Sequence, residues 1–194
     1  MSDEEPVDTT GAILSGAAKL LRNSSFEDLA YPDLADAAGV SERTVYRRFP
    51  TRTHLLESLA RWIQESHFAV SRFDTIDDYR VAVHTRFREF DASPAYAFIC
   101  ARASAVSPTG AVNEPQAFTR AIVDLVERSA PTLNQRDASR TAATLQYFGS
   151  EMFWARMRTG FDMDADEIFE AAIRGSSRAT AALTAPRVPA RAGV

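Results

Sequence analysis

The 194-residue sequence contains one cysteine, Cys100, so no internal disulfide can form and the fold must be held by its core, as suits a reducing compartment. Nowhere do roughly eighteen apolar residues run together, so the sequence offers no membrane-spanning helix. The opening MSDEEPVD is acidic where a secretory signal would be basic and then apolar, and the expected location is cytoplasmic. His54, His67 and His84 share no close ligand spacing, and Cys100 has no partner motif, so no metal is expected. Gly11 and Gly16 imitate the opening of a phosphate loop, but Ala17 stands where lysine is required and no strand precedes it. The acid groups Asp77–Asp78 and Asp164–Asp166 fall at expected helix starts, where carboxylates favour the dipole. Neither a catalytic set nor a cofactor site emerges, and no enzyme is expected.

What is present is an ordinary globular composition, 45% hydrophobic and 25% charged. At this length roughly 70% of the unfolded surface can be buried, which is enough for a core without staples. The formal net charge of −4 argues against a chain that coats nucleic acid or anionic membrane over its whole surface. The charge is unevenly spread, however. Residues 41 to 61 hold Arg43, Arg47, Arg48, Arg52 and Arg61 against Glu42 and Glu57, a net of +3 in an otherwise acidic chain. A basic island of this kind fits one local surface that meets a polyanion, and a solvated helix face fits the same charges.

Amphipathic stretches recur from end to end without strand-like alternation, so the expected fold class is all-α. A first helix starts near Thr9 or Thr10 with Ile13, Leu14, Ala17, Leu20 and Leu21 on its buried stripe. A short one follows from about Pro32 to Ala38 and stops at Gly39; Ser41 caps a third that runs to about Phe49, where Pro50 ends it. Thr51 caps a fourth with Leu55, Leu56, Leu59, Ile63 and Val70 on its apolar face. Wider breaks at Ser93–Pro94, Pro108 to Pro115, Pro131 to Gln135 and Gly160 to Asp164 leave about five further helices. The expected organisation is a disordered tail over 1–8, a three-helix domain over 9–50, a connecting helix over 51–72, a helical domain over 73–184 and a disordered tail over 185–194.

The segment PDLADAAGVSERTVYRRF, residues 32 to 49, has helix-turn-helix logic. Ala35 and Ala38 are small enough for close helix approach, Gly39 takes the positive φ of a tight turn, and Val40 and Val45 anchor the second helix. The outer face is then left to Glu42, Arg43, Thr44, Arg47 and Arg48, side chains able to reach base edges and phosphates in a major groove. Tyr46 fits either phosphate or a core.

These residues resemble the tetracycline-repressor (TetR) family of bacterial transcription regulators. The likeness runs from Leu20 through Leu56: Leu34–Ala35, Ala38 to Ser41, Tyr46 and Phe49, then Arg52 and the Leu55–Leu56 pair fill the family pattern. It implies DNA contacts from Ser41, Arg43, Thr44, Tyr46, Arg47, Arg48 and Arg52, with Tyr46 and Arg52 on phosphate and Arg43, Thr44 and Arg47 facing bases or the adjacent backbone. The sequence departs from the pattern at Ser25, where the family has glycine and a left-handed turn would strain serine, and at Ala30, where a capping threonine is usual. Arg52 replaces the common lysine and His54 an acidic residue.

Beyond residue 73 the large aromatic side chains fill a core or line a cavity equally well. The resemblance implies a small-molecule effector pocket there, with Phe87, Phe90, Tyr96, Phe118, Tyr147 and Trp154 as candidate lining; whether Arg88 or Arg102 adds an anchor for an anionic ligand stays open at this point. Two further helices, about 136–158 and 164–183, carry small residues at helical spacing. Ala142, Leu145, Gly149, Met152, Ala172, Ser176 and Ala179 suit a homodimer interface by resemblance, and intramolecular packing of the pair uses the same residues. The implied protein is a cytoplasmic, homodimeric, effector-released repressor on an inverted-repeat DNA operator. A helical small-molecule-binding protein with a vestigial helix-turn-helix is the other reading, and the basic island speaks against it.

Overall fold

A computed structural model describes residues 8–70, 72–106 and 117–184. Apart from Asp8, the two expected tails lie outside the described residues, as does the break from Pro108 to Pro115. The described residues form ten helices and no strand: α1 (Thr9–Leu20), α2 (Tyr31–Ala38), α3 (Glu42–Arg48), α4 (Arg52–His67), α5 (Ile76–Ala92), α6 (Pro94–Val106), α7 (Ala117–Ser129), α8 (Gln135–Phe148), α9 (Glu151–Phe161) and α10 (Ala165–Thr184). They divide into two compact units, one within Met1–Ala69 and Glu89–Val112, the other within Val70–Arg88 and Asn113–Val194.

In the first unit α1 packs on α2 and α4, and α4 packs on α6. The stripe read from the sequence is largely the buried one: Ile13, Leu14, Ala17 and Leu21 in and after α1, with Leu20 half-buried, and Leu55, Leu56, Leu59 and Ile63 on α4. Val70 does not belong to it. α4 ends at His67, the chain bends, and Phe68 takes the buried place, edge-on to Phe90 at 4.9 Å between centroids. Nor is α1 capped by a threonine: Asp8 holds the N-cap place with no side-chain bond. α6 buries Tyr96, Ala97, Ile99, Cys100, Ala101 and Ala103, and the Tyr96 hydroxyl donates to the Ala18 carbonyl at 3.0 Å.

The second unit surrounds an aromatic core of Tyr79, Phe87, Phe118, Phe153 and Trp154. Tyr79 donates to the Leu145 carbonyl at 2.7 Å, and burial pushes its hydroxyl pKa well above the ordinary tyrosine value. Arg86 and Glu151, both buried, pair at 3.4 Å beneath Phe118. The helix expected over 136–158 is two helices. Ser150 breaks it by accepting the Phe153 amide, which starts α9, and by donating to the Tyr147 carbonyl. Beyond residue 73 the described residues therefore form six helices where about five are expected. α10 opens on a reciprocal cap in which Asp164 and Glu167 each accept the other's amide, so the carboxylates do sit where the dipole favours them.

Candidate nucleic-acid interface

α2 and α3 meet at a tight turn. Gly39 closes α2 at φ 66°, where any other residue would meet Cβ strain, and the Val40 amide reaches back to the Ala35 carbonyl at 3.0 Å. Leu34, Ala35, Val45 and Phe49 are buried and fix the inner side of the pair. Ser41 caps α3 by accepting the Thr44 amide at 3.2 Å, and the two hydroxyls bond to each other at 2.9 Å. With Val45 turned fully inward, Glu42, Arg43, Tyr46, Arg47 and Arg48 are all exposed and Thr44 is half-buried. A seven-residue helix thus offers three guanidiniums, a phenol and a hydroxyl from one outer surface.

Tyr46 is 55% exposed, which removes it from the core. Its ring lies 4.5 Å from Tyr31, whose hydroxyl donates to the Phe49 carbonyl at 2.7 Å. Burial raises the Tyr31 pKa, against the lowering effect of the Arg52 charge. Tyr31 is therefore a neutral strut that ties the start of α2 to the end of α3 and lies against the Tyr46 ring.

Arg52 opens α4 behind the Thr51 cap, which accepts the His54 amide at 3.1 Å. Its guanidinium donates to the carbonyls of Phe26 and Leu29 and stands 4.4 Å over the Phe26 ring. These bonds tether the loop between α1 and α2 to α4 and leave fewer donors for a phosphate. Ser25 is not left-handed: among the described residues Asp162 is the one non-glycine with positive φ. Ser25 instead binds the Asp28 carboxylate through its hydroxyl at 2.7 Å, so glycine is not required there. Ala30 is the N-cap of α2 and offers no side-chain bond, as its methyl dictates. A shallow groove of about 430 Å³ runs between these parts, lined by Glu27, Leu29, Ala30, Tyr31, Tyr46, Pro50 and Arg52.

The candidate effector residues are split. Phe90 and Tyr96 lie in the first unit, while Phe87, Phe118, Tyr147 and Trp154 lie in the second. Five of them are buried and Tyr147 is half-exposed. Arg88 is held by Asp166 at 3.0 Å and Arg102 by Glu27. Of the candidate dimer residues, Ala142, Leu145, Gly149, Ala172, Ser176 and Ala179 are buried within the chain, whose α8 packs on both α7 and α10, and Met152 is exposed. A Cβ on Gly149 would come within 2.8 Å of Phe118 and 3.0 Å of Val83. No group of three or more histidine, cysteine or acidic residues able to hold a metal occurs among the described residues, and no described helix is long and apolar enough to cross a membrane. The sequence pattern marks none of Phe26, Glu27 and Tyr31 for function and offers Arg102 only as an effector anchor, not as a neighbour of this groove; their partners are remote in sequence and only the fold joins them.

Residues 13–59 match the family model described as bacterial regulatory proteins, tetR family. Over 161 residues the chain is 28% identical to the HTH-type transcriptional repressor LfrR of Mycolicibacterium smegmatis, covering 81% of this chain and 80% of that protein. The fold is similar to the crystal structure of a TetR transcriptional regulator from Rhodococcus sp. RHA1, with a TM-score of 0.64 at 15% identity over 91% of this chain and 99% of that one.

Proposed function

From a chain that belongs to the tetR family of bacterial regulatory proteins, we propose a homodimeric repressor that binds an inverted-repeat operator and is released by a small-molecule effector. A DNA-binding regulator is the common ground of the family and the curated relative. The observation that carries the reading is the division of α3, with Val45 fully buried and Arg43, Tyr46, Arg47 and Arg48 exposed together. Arginine is suited to paired contacts with the O6 and N7 of guanine, each worth ~1–3 kcal/mol of discrimination. Tyr46, Arg48 and the Ser41–Thr44 hydroxyls suit backbone phosphates, which set register without reading sequence. Arg52 acts chiefly as a positioning residue, since its fork already holds two carbonyls.

The dimer would use the outer side of the α8–α10 pair, because Ala142, Ala172, Ser176 and Ala179 are already buried within the chain. Twofold symmetry would then set two copies of α3 on half-sites ~34–36 Å apart or a multiple of that spacing. For the effector, the aromatic residues of the second unit support an apolar or partly aromatic ligand, which would enter by parting packed side chains around Phe87 and Trp154. A coupling of ~1–3 kcal/mol between effector and DNA would change operator affinity roughly 5- to 150-fold. The deciding experiment is a mobility-shift series with the DNA upstream of the protein's own gene. A salt-sensitive, sequence-selective shift at submicromolar dimer is expected; its absence would refute the regulator.

A further inference from the structure

The groove beside Tyr46 carries an unexpected charge. A surface that receives phosphate should be free of carboxylates, yet Glu27 lines this groove with its side chain 57% exposed. Within the lining the Glu27 carboxylate stands against the single cation Arg52, so the groove by itself has no surplus positive charge. The surplus comes from elsewhere in the first unit. Arg102, on α6 and outside the helix-turn-helix, forms an ion pair with Glu27. Its guanidinium also stands 5.5 Å from the centroid of Phe26, the ring that Arg52 covers from 4.4 Å. Phe26 is buried, so the loop that carries Glu27 is pinned by one arginine from α4 and one from α6.

Given the DNA-binding reading, on which this rests, we propose that Arg102 is an affinity-determining counter-charge of the DNA-facing groove: it neutralises Glu27 and holds its carboxylate aside from the incoming phosphate. As an exposed pair, Arg102–Glu27 adds little to stability. Its weight falls on DNA, where each charge near a phosphate registers in affinity and in salt dependence. It follows that α6 sets the charge of the groove. A shift of α6 that withdraws Arg102 leaves Glu27 facing the phosphate and weakens binding without any change in α3.

The test uses the full chain and a mixed-sequence DNA duplex, whose phosphates suffice, followed by fluorescence anisotropy at low and at higher salt. Arg102→Ala should weaken duplex binding about three- to tenfold at low salt, with the gap closing as salt screens the charges. Adding Glu27→Gln to that variant should restore affinity to within about twofold of wild type, and Arg102→Lys should stay near wild type. If Arg102→Ala does not fold, Glu27→Gln alone should tighten binding at low salt, and no change there would overturn the proposal. Unchanged binding by a folded Arg102→Ala would overturn it too. So would a loss that Glu27→Gln fails to restore, which would assign Arg102 to packing on Phe26. Failure of the wild type to bind any duplex would instead overturn the DNA-binding reading itself.

Discussion

α3 and the α8–α10 pair both carry a marked stripe at helical spacing, yet the two stripes have different destinations. On α3 the stripe is charged, and three arginines within seven residues cannot be buried without partners, so they face outward whatever the tertiary context. On α8 and α10 the stripe is small, and small residues are satisfied by any close neighbour. Here the neighbour is the chain itself: Gly149 lies against Phe118 and Val83, Gly175 lies under the Phe148 ring, and Ala142, Ala172, Ser176 and Ala179 are buried within the chain. Charge therefore names a surface, whereas smallness names only a close approach.

Substitutions can break or sharpen that contrast. The largest effect is expected in the second unit. Trp154→Ala should cost about 3–5 kcal/mol in denaturant unfolding, because the side chain is fully buried in a packed core; a loss below about 1 kcal/mol would mean spare room for a ligand around it. Gly149→Ala should cost about 1–3 kcal/mol by forcing Phe118 and Val83 apart. If it left unfolding unchanged in the isolated chain and only raised the dimer dissociation constant, the small stripe would belong to the interface after all. In the first unit, Arg52→Ala should lower stability by about 1–3 kcal/mol through the lost bonds to Phe26 and Leu29, whereas Arg47→Ala should leave stability within about 0.5 kcal/mol and weaken specific DNA binding. Equal effects of the two on DNA with none on stability would erase the distinction between them.

The smallest effect concerns pH. Bonds from His84 and then Arg88 hold the Asp166 carboxyl below its usual range. A depressed carboxylate stabilises the fold above its unfolded-state pKa and loses that contribution as pH falls through the lowered folded-state value. Asp166→Asn should slightly lower the melting temperature at neutral pH, and the difference should vanish in acid. A difference that persists there would assign the effect to packing against His84 and Phe169.

Much of the first unit was legible because local chemistry decides it. Gly39 has to take the left-handed turn, Ser41 and Thr51 have to cap, and Val45 has to face in while Arg47 and Arg48 face out. The all-helical class followed from periodicity alone. The break at Gly149–Ser150 was also written locally, as a glycine and a hydroxyl cap, but an apolar stripe continuing past it from Leu145 to Met152 concealed it. What stayed hidden depends on long-range geometry. Nothing in the sequence near Arg52 or Arg102 announces Phe26, Glu27 or Leu29 as partners, and the aromatic spacing of Phe87, Phe118 and Trp154 reads alike for a filled core and a lined cavity.

The most direct test of the central claim, that the outer face of α3 binds DNA, is the salt dependence of duplex binding by wild type and by Arg43→Ala/Arg47→Ala/Arg48→Ala. Wild type should show log affinity falling steeply and linearly with log salt, and the triple variant, with an unchanged melting temperature, should lose most of that affinity and about 0.9 units of slope for each phosphate contact removed. The same slope and affinity in both proteins would place the DNA-binding surface elsewhere.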